Sequence, residues 1–115
     1  LKEQEKVEQV YYTGLPEHPG YEIIKAQARG AGAMISIRVK DAQAAKCTLE
    51  KVQLISFAES LGGVETLLTD PTMQTHGDVP TEVKERLGIT DDFLRLSVGI
   101  EDVDDLIADL AQALE

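Results

Sequence analysis

The chain has 115 residues, enough for one modest domain with a real hydrophobic core. Its 21 acidic residues against 11 basic ones leave a net charge of −10, which speaks against nucleic acid and against an anionic membrane surface, since both are met with clustered lysine and arginine. No apolar run approaches the roughly 20 residues of a membrane span, and the lone cysteine, Cys47, permits no internal disulfide and fits a reducing cytoplasm.

Residues 1–6 read as the last turn or two of a helix arriving from elsewhere, so the chain is expected to be a piece of something longer. A short strand is predicted over 7–12. Residues 13–20 form a loop whose two prolines and two glycines fix its turns. A helix is predicted over 21–29, with Tyr21, Ile24 and Ala28 on one stripe. Gly30-Ala31-Gly32-Ala33 breaks it. This is no phosphate cradle, because it follows a helix and opens a strand. His18 reads as a turn residue.

Residues 34–39 alternate, with Ile35, Ile37 and Val39 facing a core. A helix over 42–52 follows, with Ala42, Ala45, Leu49 and Val52 at helical spacing. Cys47 lies on it with nothing nearby to activate the thiol. Residues 53–58 are the third strand. Glu59-Ser60-Leu61-Gly62-Gly63 then turns sharply, its glycines letting a backbone come close to a ligand. Residues 64–68 are extended and 70–78 form a polar loop. Pro80 opens a helix that Gly88 closes, anchored by Val83 and Leu87.

The run over 93–101 reads as a strand, with Leu94, Leu96, Val98 and Ile100 on a core face and Phe93, Arg95, Ser97 and Gly99 on the other. A last helix carries Val103, Leu106, Ile107, Leu110 and Leu114 as its stripe, with Asp102, Asp104 and Asp105 at its positive end. The expected fold is α+β: a two-layer sandwich of a mostly antiparallel sheet with helices on one face. The other face is polar and sparsely charged, with Arg95, Ser97, Ser36 and Ser56.

An arginine in mid-strand among small polar neighbours is an unusual choice. Its rigid fork of donors matches a carboxylate or phosphate with two hydrogen bonds. Spacing alone leaves open whether Arg95 does this or is an exposed or ion-paired surface residue.

Five stretches in order carry the reading further: Tyr12-Thr13-Gly14-Leu15-Pro16 with His18-Pro19; 58–65, Ala-Glu-Ser-Leu-Gly-Gly-Val-Glu; Met73-Gln74-Thr75-His76; Leu87-Gly88-Ile89-Thr90; and 95–102, Arg-Leu-Ser-Val-Gly-Ile-Glu-Asp. Together they resemble the C-terminal domain of the Cys/Met-metabolism, or trans-sulfuration, enzymes that use pyridoxal 5'-phosphate, and are closest in motif to the cystathionine γ-synthases, γ-lyases and β-lyases.

The resemblance implies the small domain of a fold-type-I enzyme. Residues 1–6 would end a helix linking it to a missing N-terminal cofactor domain, and 7–115 would be the substrate-binding domain. The parent would be a cytoplasmic homotetramer acting on a sulfur amino acid in methionine or cysteine metabolism, by C–S lysis or γ-replacement. Arg95 matches the arginine that grips the substrate α-carboxylate. Ser60 matches the catalytic serine near the aldimine lysine. Glu59 matches a position that varies with substrate: its carboxylate would bind a distal amino group or tune a proton shuttle, or else it is a solvated strand-end acid. Leu61 falls in the substrate-binding stretch beside them. Thr75 matches a threonine that steadies the arginine. His76 reads as a packing residue, and Gly77 departs from the alanine usual there.

None of Lys2, Lys6, Lys25, Lys40, Lys46, Lys51 or Lys84 stands in the small-polar context of the family's cofactor lysine. The isolated chain is therefore expected to be inactive and to bind no metal. The competing expectation is a stand-alone, non-catalytic binding or dimerisation module, suggested by its complete hydrophobic patterning.

Overall fold

The alternating runs meet in one five-stranded sheet, ordered β1-β2-β5-β4-β3. The computed structural model describes residues 1–75 and 78–115, except for the side chains of Gln74 and Thr75. The strands are β1 (Val7–Tyr11), β2 (Met34–Val39), β3 (Ser56–Phe57), β4 (Leu67–Thr69) and β5 (Phe93–Ser97). β5 lies in the middle, antiparallel to β2 on one side and β4 on the other. β1 joins β2 antiparallel, and only β3 and β4 run parallel.

Period 2 decides the faces of the central strands. Ile37 and Val39 of β2, Leu68 of β4 and Leu94 and Leu96 of β5 are buried together. Onto them pack α2 (Ala42–Lys51), through Ala45, and α4 (Val103–Ala113), through Leu106 and Leu110, with Leu114 just beyond it. Each fully buried leucine of this kind contributes about 1.5–3 kcal/mol. Both helices start at an aspartate cap: Asp41 Oδ1 accepts the Ala44 N–H at 2.7 Å, and Asp102 Oδ1 accepts the Asp104 N–H at 2.9 Å.

The structure departs from the sequence reading in six places. Residues 1–6 form two reverse turns, closed by Gln4 N–H to Leu1 O and Val7 N–H to Gln4 O, rather than helical turns. A stretch this short gains too few internal bonds to nucleate a helix, and Lys2 and Lys6 instead reach Glu17 and the Glu115 carbonyl. The helical layer is α2 and α4 alone: α1 (Tyr21–Gln27) and α3 (Thr81–Arg86) bury no residue, and Leu87 is exposed. Of the stripe expected on the last helix, Leu106, Leu110 and Leu114 are buried, and Val103 and Ile107 lie outside. The third strand keeps only two of its expected residues. Finally, β5 stops at Ser97, so Ile100, expected in the core, is 81% exposed. The first half of the expected polar loop is one π-helical turn, Pro71–Thr75.

Candidate anion-binding site

Arg95 sits at the centre of the central strand, directly opposite Ser36 on β2 and Thr69 on β4. Residues paired in this way share a face, so the guanidinium rises from a row of hydroxyls. Thr69 is buried and its hydroxyl donates to the Ala58 carbonyl at 2.7 Å. Arg95 itself is half-buried. Its Nη2 donates to the Glu59 carbonyl at 3.4 Å, while its Nε is buried with no partner among the described residues. Burying a donor with nothing to bond costs about 1–3 kcal/mol.

The other sheet arginine makes the contrast. Arg38 Nε is likewise buried without a hydrogen bond, but it lies 3.4 Å from the Asp92 carboxylate, and its Nη2 donates to the Gly88 carbonyl. Among the described residues no carboxylate pairs with Arg95. A half-buried guanidinium with spare donors and no counter-charge can receive a carboxylate or phosphate.

The structure brings the predicted residues of 59–61 to this arginine. Residues 58–66 link β3 to β4 and pass beside β5. The Ala58 N–H donates to Leu68 O, and Glu59 follows with its carbonyl on Arg95. The side chains of Glu59, Ser60 and Leu61 are exposed. Gly62, at φ 74°, turns the chain so that its N–H donates to Ser97 Oγ at 2.9 Å. Thr75 lies at the end of the π-helical turn, and its side chain, like His76 and Gly77, falls outside the described residues. His18 accepts the Gly20 N–H on Nδ1, the turn role its sequence implied, and the free thiol of Cys47 accepts from Gln43.

Sequence reasoning missed the residues beyond Arg95 that shape the site. Ser97 is buried although it stands on the polar face. Glu101 accepts the Thr66 N–H and the Thr66 hydroxyl, each at 2.6 Å, and the same hydroxyl accepts the Gly99 N–H at 2.8 Å. These bonds, first the Thr66 hydroxyl and then its N–H, hold the Glu101 carboxyl below the usual carboxylate range. The signal was the spacing Arg95, Ser97, Gly99, Glu101, which puts a functional group at every second residue, but their partners lie 33 to 36 residues upstream.

A pyridoxal phosphate needs a lysine amine for its aldehyde and several donors for its phosphate. No lysine is among the partners of Arg95 in the described residues. Lys84 donates to the Thr72 carbonyl, Lys25 lies over the Tyr21 ring, and Lys2 and Lys46 pair with glutamates. The free donors of Arg95 suit an anion.

The fold and this site define a small α+β domain whose mid-sheet arginine has no counter-charge among the described residues. The chain belongs to the Cys/Met metabolism PLP-dependent enzyme family, whose model matches residues 1–115. It is 49% identical to a cystathionine gamma-lyase of Dictyostelium discoideum and 50% identical to a cystathionine beta-lyase of Coxiella burnetii, over 100% and 99% of this chain respectively. The structure of cystathionine gamma synthase from Xanthomonas oryzae pv. oryzae in complex with cystathionine superposes with a TM-score of 0.93 at 39% identity, over 99% of this chain. The chain spans about 30% of the length of each of these proteins. No helix among the described residues is long and apolar enough to cross a membrane.

Proposed function

We propose that this chain is the C-terminal substrate-binding domain of a PLP-dependent trans-sulfuration enzyme, and that Arg95 binds the α-carboxylate of a sulfur amino acid. The observation that carries the reading is the half-buried guanidinium of Arg95, which, unlike that of Arg38, has no carboxylate beside it among the described residues. A carboxylate there would take up the free donors and supply the missing counter-charge. Most of the relatives' names point to cystathionine as the amino acid, and those of two, at 51% and 49% identity, to methionine. The five ordered motifs support the C-terminal assignment.

The coenzyme would be held by polypeptide outside this chain. An apolar hollow of about 340 Å³, lined by Leu1, Val10, Leu15, Ile35, Val98 and Ile107 among others, supports a larger parent, since a domain standing alone gains from closing such a surface. This chain's part is to hold the amino acid by one end and so fix its orientation. Ser60, exposed next to the Glu59–Arg95 contact, would place a hydroxyl near the reacting end. Glu59 would meet a distal amino group and Leu61 would line the same stretch. Thr75 would steady the arginine. The lone cysteine fits the cytoplasm.

The test is steady-state kinetics of the full-length enzyme with cystathionine. Losing a desolvated arginine–carboxylate pair costs about 2–5 kcal/mol, so Arg95→Ala raises KM by about two orders of magnitude and Arg95→Lys by about one. An unchanged KM in both removes the central role. Product assays with cystathionine, and with an O-acylhomoserine plus cysteine, separate lyase from replacement chemistry.

A further inference from the structure

Residues 59–65 make no hydrogen bond with one another among the described residues. Every bond this loop makes reaches β5 or the segment just after it. Glu59 O accepts from Arg95, the Gly62 N–H donates to Ser97 Oγ, and Val64 O accepts the Ile100 N–H at 2.9 Å. Thr66, where the loop returns to the sheet, is clamped by Glu101 and by the Gly99 N–H. The approach at Gly99 is so close that a Cβ there would stand 2.2 Å from Val64 O and 2.6 Å from the carbonyl carbon of Glu65. The loop has no shape of its own, and its shape is dictated by the strand that carries the arginine.

Resting on the reading above, we propose that Ser97 and Glu101 are positioning residues: they fix the loop carrying Glu59, Ser60 and Leu61 at one height beside Arg95, so that both ends of a bound amino acid meet groups at a set spacing. Ser97 shares the face of Arg95 two residues along, and its bond to Gly62 is the one side-chain tie at the loop's apex. Glu101 holds the far end with two oxygens on one threonine. Glutamine in its place would turn an acceptor into a donor against a hydroxyl that already takes the Gly99 N–H.

The test is a double-mutant cycle on the full-length holoenzyme with cystathionine, with melting temperature recorded for every variant. Ser97→Ala raises KM about tenfold, the effect of one lost hydrogen bond to a buried group, with kcat changed less than about threefold. Glu101→Gln gives the same split, and stands in if Ser97→Ala fails to fold. In an Arg95→Lys background Ser97→Ala raises KM by less than about threefold more, because the loop then has no fixed arginine to be registered against. The inference is overturned if KM is unchanged in both Ser97→Ala and Glu101→Gln while Arg95→Lys raises it. It is equally overturned if the effects multiply in full, or if kcat falls together with the melting temperature at constant KM. An Arg95→Lys enzyme with unchanged KM strikes the carboxylate reading itself, which keeps the two failures apart.

Discussion

The carboxylate of Asp109, on α4, accepts the backbone N–H of Ile55 at 2.8 Å. It also takes those of Gln53 and Leu54, both at 2.9 Å. One side chain that is only 6% exposed thereby satisfies three successive donors on the chain between α2 and β3. Asp109→Ala leaves those donors without their acceptor and is expected to destabilise the chain by about 3 kcal/mol. Urea unfolding followed by circular dichroism measures it. A midpoint shift of under about 0.3 M contradicts it, given slopes of about 1–3 kcal/mol/M for small domains.

The same group sets a pH dependence. Burial raises the cost of the Asp109 charge, but the N–H groups of Ile55 and Gln53, the Gln112 amide and the Leu54 N–H together outweigh it and hold the carboxyl below its ordinary 3.8. A carboxyl depressed in the folded state contributes stability in full above its unfolded value and loses it as pH falls through the folded one. Asp109→Asn is therefore less stable than the parent chain at pH 7, and the gap narrows as pH drops from about 4 to about 2. Urea midpoints across that range read the gap directly. A constant difference shows that some other acid governs the decline.

Leu94 and Ile100 were expected on one buried face and lie at opposite extremes, 0% and 81% exposed. Leu94→Ala is expected to cost about 2–5 kcal/mol through lost contacts and the cavity left behind. Ile100→Ala is expected to fall within about 0.5 kcal/mol of the unaltered chain. Parallel denaturation curves of the two variants decide the matter, and equal losses refute the assignment of faces.

Asp41 caps α2 through a 2.7 Å bond to the Ala44 N–H. Asp41→Ala removes that acceptor and is expected to cost about 1 kcal/mol. Asp41→Asn, which keeps an oxygen in place, recovers most of it. Failure of asparagine to recover any of the loss assigns the effect to charge at the helix end rather than to the cap.

What was legible in the sequence was whatever repeats locally. The period-2 runs gave β2 and all of β5, and helical spacing gave α2 and α4. The elements that came out shorter were cut by partners far away in the chain. Gln53, Leu54 and Ile55 look like strand, but their N–H groups go to Asp109, more than 50 residues on. Val98, Gly99 and Ile100 continue the alternation of β5, but the Ile100 and Gly99 N–H groups are taken by Val64 and Thr66. The site divided in the same way. Arg95 stood out because of its own position, and Glu59 and Ser60 stood out through family resemblance. The stitching by Ser97 and Glu101 could not be read, because a serine or glutamate names no partner until the backbone brings one.

The strand order β1-β2-β5-β4-β3 has a consequence for how the protein is made. β5 is the hinge of the whole sheet, yet it is the last of the five strands to leave the ribosome. Until residue 97 has emerged, β2 and β4 each present an open edge with no neighbour to fill it. Nascent chains stalled before that point should be sticky and in need of chaperone cover, and the sheet should close only once β5 has emerged.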